Sequence, residues 1–318
     1  HAGLVHIRPI GALTRGEKGE ALSDIGAMVM EGAAAFSDDG HGVQSAGMMR
    51  TCMEYVSQFD RAVLAHCEID SLTTNGVINE GKASTRLGMF GWPALGEELE
   101  IYRDIELAKL TGCRFHVCHI STAKGLDLVR AAKKEGLPVT CEVTPHHLFL
   151  NEDDITPTYN TNLKMNPPLR TKADMEALVE GICDGSIDCV VTDHAPHAPH
   201  EKDCEWEIAF FGCVGLETSL PLMLTKLVLP GKMSWSRLVE VMAVNPRKVL
   251  TLEPVKVEAG STADLTLIDP AAEIEVTEDW LQGKAKNSAF LGWHLTGAAS
   301  DVFCAGKRTL TDGVVTPA

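Results

Sequence analysis

The sequence contains no apolar run near the roughly 20 residues that a helix needs to cross a bilayer, which argues against a membrane protein. Basic residues are few and unclustered: 28 lysines and arginines face 44 aspartates and glutamates, for a formal net charge of −16. Nucleic-acid binding is therefore not expected, because phosphate contacts need clustered cations. The ten cysteines form no C-x-x-C pair and follow no secretory signal, so we expect reduced core cysteines in a cytoplasmic protein.

Repeats and low-complexity tracts are also absent, and 318 residues suffice for one large domain, or for a barrel with a small appendage. The chain opens on HAGLVHIRPIGAL, already strand-like and without an initiator methionine. We therefore expect that a segment upstream is missing.

Short β-rich apolar runs alternate with amphipathic helical stretches, the pattern of parallel strands joined by crossover helices. The predicted strands are 4–10, 33–37, 62–66, 115–119, 139–143 and 189–193, and the main predicted helices are 45–60, 95–112, 122–136, 171–185, 216–228 and 234–250. After residue 250 the pattern changes to short β-like pieces with turns, at 255–269 and 302–315. We therefore assign residues 1–250 to an α/β domain and 251–318 to a small β portion.

Six strands do not decide the architecture. A closed (β/α)8 barrel needs eight strands, whereas an open doubly wound sheet accepts six. The residues at the strand ends must therefore decide between a barrel and an open sheet.

Four predicted strands end in a histidine or an aspartate: Asp39, His66, His119 and Asp193. One histidine at a strand end is usually structural and one aspartate is usually a helix cap, but the joint occurrence favours a shared site. In a barrel these ends converge on one face, where active sites lie. Imidazole and carboxylate ligands suit Zn2+ or a similar divalent ion. Cys67 and Cys118 adjoin the histidines, but strand alternation points them to the opposite side, so we expect core residues there.

Several motifs occur in the order typical of one family. They are FSDDG at 36–40, HCE at 66–68, HIST at 119–122, TPHH at 144–147, NPPLR at 166–170, TDHAPH at 192–197, HEK at 200–202 and FGCVGLE at 211–217. On these motifs the whole chain resembles the dihydroorotases of the bacterial long-chain type, in the amidohydrolase superfamily. Hydantoinases and allantoinases are similar in plan but bridge their metals with a carboxylated lysine, and no lysine stands in FSDDG.

The resemblance implies a TIM-type (β/α)8 barrel with a β-sandwich built from both chain ends. It implies two zinc ions, with His66 and His119 at one position, Asp39 shared, and Asp193 at the second. Asp39 is preferred to Asp38 because the family's bridging carboxylate lies 27 residues before the first of these histidines. Asp38 is then structural.

The resemblance also implies the chemistry. Asp193 would take a proton from the attacking water and return it to the leaving ring nitrogen, in the reversible interconversion of dihydroorotate and N-carbamoyl-aspartate in pyrimidine biosynthesis. Asn166, His197, Phe211 and Gly212 would contact the substrate ring; alone, Asn166 reads as a turn residue before two prolines. The remaining histidines receive no catalytic role: His116, His146, His147, His194 and His200.

The chain departs from this pattern at its start. The family's first strand carries an H-x-H pair and a nearby arginine, with an asparagine later; His1 and His6 are not spaced as H-x-H, and none of the three features has a counterpart. We therefore expect the first two barrel strands to be missing and the second zinc position to be incomplete. Three alternatives follow: a truncated enzyme, a non-catalytic partner of a protein such as aspartate transcarbamoylase, or strands supplied by another chain. Because an open barrel exposes two edges, we expect a homo-oligomer.

Overall fold

The computed structural model describes residues 4–316; His1 lies outside them. Its main element is a parallel sheet with the strand order β1-β2-β3-β6-β7-β8. The six strands are β1 (Ile10–Ala12), β2 (Ala35–Ser37), β3 (Ala62–Ala65), β6 (Arg114–Val117), β7 (Val139–Val143) and β8 (Cys189–Val190). Every residue of β2 and β3 is buried, as expected where a parallel sheet is covered on both faces.

Helices connect these strands along the chain. The helices are α1 (Ile25–Met30), α2 (Ala46–Val56), α3 (Asp70–Thr73), α4 (Lys82–Leu87), α5 (Leu95–Thr111), α6 (Ala123–Lys134), α7 (Pro145–Phe149), α8 (Lys172–Asp184), α9 (Pro199–Lys202), α10 (Leu216–Met223), α11 (Trp235–Val239) and α12 (Asn245–Val249). Their ends follow local sequence: Thr171 and Asp174 form a reciprocal capping box at the start of α8, and Gly185 ends it in the left-handed region. π-helical turns at Leu224–Val228 and Glu240–Val244 continue α10 and α11.

Two smaller sheets complete the architecture. A short parallel pair, β4 (Ile78–Asn79) and β5 (Gly91–Trp92), lies in the connection after β3. The C-terminal sheet is antiparallel and contains β9 (Leu265–Glu275), β10 (His294–Cys304), β11 (Lys307–Thr311) and β12 (Val314–Val315). Ile274 and Leu295 of this sheet join a buried cluster with Leu222 of α10, so the C-terminal sheet packs against the α/β part.

All six predicted strands are present and pair in parallel, but several of the predicted bounds are wrong. The first strand begins at Ile10, not at residue 4, and residues 255–264 form no strand ahead of β9. The strands at 33–37, 115–119 and 189–193 were predicted longer at one or both ends, because the sequence pattern does not separate a paired strand from the extended chain leaving it. All ten cysteines are free, and seven are buried.

The parallel sheet is open among the described residues, since β1 and β8 each pair with one neighbour. A cavity of about 440 Å3 lies inside its curve, lined by apolar side chains such as Leu64 and Val191 and by Asp39, His119 and Asp193. Within residues 4–316, no helix combines the length and apolarity required to span a bilayer.

Candidate active site

Asp39, His66 and His119 converge at the ends of three neighbouring strands, β2, β3 and β6. One ligand atom from each lies within 4.8 Å of the others. The Nδ1 atom of His66 lies 3.1 Å from Nε2 of His119, and that nitrogen lies 3.4 Å from Oδ1 of Asp39. Both imidazoles are buried, whereas 55% of the Asp39 side chain is exposed. Two nitrogens and one oxygen at these spacings fit a divalent ion such as zinc.

The backbone at this site is held in an unusual conformation. His119 has φ +29° and Asp193 has φ +45°, both in the left-handed region that non-glycine residues seldom adopt. Main-chain hydrogen bonds continue past the strand ends here, from Cys118 to Ala65 and from Ile120 to Glu142. The surrounding sheet therefore fixes a strained conformation that aims the His119 ring at its partners.

The charges of the three groups are coupled. Burial by itself would lower the pKa of His119, but the hydrogen bond and charge of Asp39, with the charge of Asp193, raise it to about 9. Burial would raise the pKa of Asp39, yet the hydrogen bond to His119 and the charges of both imidazoles hold it well below its usual range. Because about half of the Asp39 side chain is exposed, the neighbouring imidazoles outweigh the effect of burial, and the pKa of Asp39 falls. A metal ion would take the place of the His119 proton, because imidazole binds metal in its neutral form.

Glu68 contacts the His66 ring at the nitrogen that does not face His119. Its Oε2 atom lies 2.9 Å from Nε2 of His66, and its Oε1 accepts a hydrogen bond from Thr73. The same Oε2 lies 3.5 Å from the amide nitrogen of Asn166. Sequence reasoning missed this role, although Glu68 lies within the HCE motif. Glu68 thus links a candidate ligand to a candidate substrate contact.

Asp193 lines the same cavity as Asp39 and His119, but it lies outside the three-residue ligand group. Burial and the charge of Asp39 raise its pKa, against the opposing charges of His119 and His66. A carboxylate with a raised pKa beside a ligand group is suited to accepting and returning a proton.

Asp38 has a structural role, in agreement with its prediction. Its Oδ1 accepts from the backbone amides of Leu13 (2.8 Å) and Thr14 (3.0 Å), and its Oδ2 accepts from the Thr14 hydroxyl. The two adjacent aspartates therefore face different environments: Asp38 ties β2 to the segment after β1, and Asp39 faces the cavity.

The predicted substrate residues lie on three segments, at Asn166, at His197 and at Phe211–Gly212. Asn166 has a buried Oδ1 without a hydrogen-bond partner in the described part of the chain, as expected of an atom awaiting a ligand. The His197 ring is anchored through its own Nε2 atom, which lies 2.7 Å from the carbonyl oxygen of Phe211. Gly212 has φ +98°, and a Cβ added there would lie 2.5 Å from Cβ of Ala195, so the chain requires glycine.

The histidines without a predicted catalytic role have local partners. His116 points into the cavity, where Nδ1 lies 2.7 Å from Thr140 and Nε2 lies 2.9 Å from Glu142. His146 and His147 are buried, and burial lowers the pKa of His146 to about 3. His194 accepts a hydrogen bond from the amide of Gly215, and His200 lies exposed on α9.

The prediction that Cys67 and Cys118 are core residues is confirmed, but the predicted orientation of Cys118, away from the cavity, is wrong. Cys67 packs in the main core. Cys118 is buried but lines the cavity beside His119, because the chain leaves regular strand geometry at residue 118. A second group, His6, Asp264 and Cys304, lies at the C-terminal sheet, where Asp264 also accepts from the backbone amide of Ala305.

Comparisons of the sequence with known proteins agree with one another. A family model described as dihydro-orotase-like matches residues 1–125. The dihydroorotase of Acetivibrio thermocellus is 46% identical over 313 residues, which cover 98% of this chain and 73% of that protein. The dihydroorotase of Leifsonia xyli is 44% identical over 318 residues, with 99% and 72% covered.

Solved structures give the same fold. The L-hydantoinase (dihydropyrimidinase) of Arthrobacter aurescens superposes with a TM-score of 0.85 at 28% identity, covering 98% of this chain and 71% of that one. A D-hydantoinase from Thermus sp. superposes with a TM-score of 0.80 at 24% identity, covering 97% and 69%, and supports the fold alone. The parallel sheet described above is therefore the greater part of a TIM-type barrel.

Proposed function

Because this chain belongs to the dihydroorotase family of metal-dependent cyclic amidohydrolases, we propose that it catalyses the reversible hydrolysis of dihydroorotate to N-carbamoyl-aspartate. The identity of 46% over 98% of the chain carries this proposal. The grouping of Asp39, His66 and His119, whose ligand atoms lie within 4.8 Å of one another, adds independent support.

Zinc is the metal that we propose. Asp39, His66 and His119 would hold one ion, and Asp39 with Asp193 would offer an incomplete second position. When bound, such an ion lowers the pKa of water toward about 7 and polarises a carbonyl oxygen. Proton transfer and substrate binding are assigned to side chains and backbone groups of this chain.

Asp193 is the proposed general base and acid. It takes a proton from the attacking water as the new C–O bond forms at the amide carbon. It returns the proton to the ring nitrogen as the C–N bond breaks. Its raised pKa supports both halves of this exchange, because a weakly acidic carboxyl holds the proton between the two steps.

Asn166, His197 and the Phe211–Gly212 backbone are the proposed substrate contacts. The unpartnered Oδ1 of Asn166 suits a ring N–H donor, and Glu68 sets the orientation of that amide. His197 is also proposed to contact the substrate ring. Its Nε2 atom is anchored to the carbonyl oxygen of Phe211.

Further parts of the proposal concern the whole molecule. Residues 1–250 would form the hydrolase barrel and 251–318 the C-terminal β portion of a composite sandwich. The family resemblance supports a cytoplasmic role in pyrimidine biosynthesis, a homo-oligomer, and aspartate transcarbamoylase as a partner. Co-purification and light scattering test the last two.

The decisive experiment is an assay of the zinc-supplemented chain with dihydroorotate, alongside Asp193→Asn. We expect the variant to lose about 10²- to 10⁴-fold in turnover while remaining folded, since it lacks the proton acceptor. Asp279→Asn, at an exposed site in the C-terminal part, is the matched control. A folded, zinc-loaded chain without activity would favour the non-catalytic partner.

A second candidate is a hydantoinase, favoured by the superposition on the Arthrobacter aurescens structure. Hydantoin and dihydroorotate should therefore be compared as substrates of the same preparation. Faster turnover of hydantoin would overturn the substrate assignment while leaving the reaction class intact.

A further inference from the structure

Two lysines are buried in this protein, which is uncommon because a desolvated ammonium is costly. Lys164 is 2% exposed and Lys202 is 6% exposed. Lys164 precedes the NPPLR motif, and Lys202 ends α9. They come from separate segments, yet their ammonium groups bind the same loop, residues 205–213.

All four hydrogen bonds of these ammonium groups go to main-chain carbonyls of that loop. Nζ of Lys164 donates to the carbonyls of Glu207 (3.1 Å) and Ala209 (2.6 Å). Nζ of Lys202 donates to those of Phe210 (2.8 Å) and Gly212 (3.0 Å). The carbonyl of Lys164 also accepts from the Gly212 amide at 2.7 Å. Four carbonyls within six residues are thus held by two side chains.

This bonding leaves few polar groups of the loop free for a ligand. The Phe211 carbonyl is taken by His197, and both polar main-chain atoms of Gly212 are taken by the two lysine residues. Among the described residues, the Phe211 amide is the polar main-chain group of this dipeptide left without a partner. The Phe211 ring is also fixed, with Nζ of Lys164 4.4 Å from its centroid and Trp92 edge-on at 5.6 Å.

We propose that Lys164 and Lys202 are positioning residues that hold loop 205–213 rigidly, so that the Phe211 amide and the His197 ring meet the substrate. The identity of the substrate in this proposal rests on the proposed function. The rigidity of loop 205–213 does not depend on it. The loop is then a fixed wall of the site rather than a closing lid. Lysine suits this role because a compact ammonium donates to several carbonyls at once.

The test uses Lys164→Met and Lys202→Met, which keep the side-chain length and remove the donors. Lys134→Met, at an exposed site on α6, is the matched control. Hydrogen–deuterium exchange of peptides covering 205–213 is measured without substrate, and KM and kcat for dihydroorotate are measured with zinc. Zinc affinity is measured in parallel, because a positioning role at this loop leaves Asp39, His66 and His119 untouched.

We expect faster exchange confined to 205–213 in both methionine variants. We also expect KM to rise about ten- to hundredfold with a smaller change in kcat, which corresponds to the loss of one or two charge-assisted hydrogen bonds. Exchange and KM that match the Lys134→Met control would overturn the proposal. If a methionine variant does not fold, Lys164→Gln or Lys202→Gln is measured instead, since the shorter, neutral amide cannot replace the charged bonds to two carbonyls; exchange and KM at the level of the Lys134→Met control would again overturn the proposal.

The two halves can fail separately. If the wild-type chain does not act on dihydroorotate, the proposed function fails, while the exchange measurement still decides whether the lysines hold the loop. If dihydroorotate is turned over but exchange and KM are unchanged in the variants, only the role of the lysines fails.

Discussion

The two ring nitrogens of His66 have different partners: Nε2 lies 2.9 Å from Oε2 of Glu68, and Nδ1 lies 3.1 Å from Nε2 of His119. Glu68 therefore fixes the tautomer that leaves Nδ1 free for a metal ion. Carboxylates in this position orient histidine ligands and raise their basicity.

We expect Glu68→Ala to weaken zinc binding about 10- to 100-fold, the usual effect of losing such a partner. Competition with a chelating dye measures the affinity. Glu180→Ala, at an exposed position of α8, controls for the loss of one negative charge. Equal zinc affinities of the two variants would show that Glu68 does not support zinc binding.

The adjacent aspartates should respond oppositely to the same substitution. Asp38→Asn removes the charge that strengthens the hydrogen bonds from two backbone amides and replaces the Oδ2 acceptor of the Thr14 hydroxyl with an amide donor, so we expect a loss of about 1.5–3 kcal/mol in the free energy of unfolding. Asp39→Asn should cost less stability, because that side chain is half exposed, but it should abolish most zinc binding. Urea denaturation and zinc titration of both variants test the contrast, and the assignment of the ligand is wrong if Asp38→Asn is the variant that loses zinc.

Stability should depend on pH through Glu100 of α5. Burial and the neighbouring charge of Asp104 raise its pKa from 4.5 to about 9, against the opposing charge of Arg103. Below pH 4.5 the carboxyl is protonated in both folded and unfolded chains, so it costs nothing. As pH rises toward 9, the unfolded chain ionises first, and stability is lost.

Glu100→Gln should therefore unfold at a higher urea concentration than wild type at pH 8, with the difference shrinking toward pH 5. The amide still accepts from Arg103, so packing is preserved. A difference that is constant across this pH range would show that Glu100 ionises normally in the folded chain.

A buried network joins the HIST and NPPLR motifs. Arg170 donates to Ser121 (3.0 Å) and to Asn79 (2.9 Å), and it pairs with Glu97 at 3.3 Å. The amide of Ser121 donates to Glu97 at 2.8 Å. Arg170→Met should cost about 3–5 kcal/mol in unfolding free energy, because it leaves the buried Glu97 carboxylate without a counter-charge.

The double variant Arg170→Met/Glu97→Gln should be more stable than the sum of the single losses predicts, since the stranded charge is gone. Urea unfolding of the four proteins in this cycle gives the coupling. Strict additivity would mean that Glu97 does not depend on Arg170.

Much of the site could be predicted from the sequence because its residues follow strand ends. His66 and His119 end predicted strands and Asp39 follows another by two residues, and parallel strands bring such positions to one edge. The same pattern predicted Asp193 at that edge, but it carries no distance, and the structure leaves Asp193 outside the ligand group.

Glu68, Lys164 and Lys202 could not be found in this way. Their roles depend on tertiary contacts, from 8 residues away for Lys202 and Phe210 to 98 for Glu68 and Asn166, and no periodicity encodes such pairings. Nor could the bounds of β1 be predicted, because the apolar residues before Ile10 continue the strand pattern without a pairing partner. Local pattern fixes element type, whereas pairing and long-range contacts fix where an element starts and which charges it buries.

The three candidate ligands follow β2, β3 and β6, which are neighbouring strands of the parallel sheet. Asp39 precedes His66 by 27 residues, and His66 precedes His119 by 53. Only two loop closures are needed to bring them together, each of modest entropic cost. In refolding, a metal ion could therefore be captured by the β2–β3–β6 region before residues 251–316 have docked, and added zinc should accelerate an early kinetic phase.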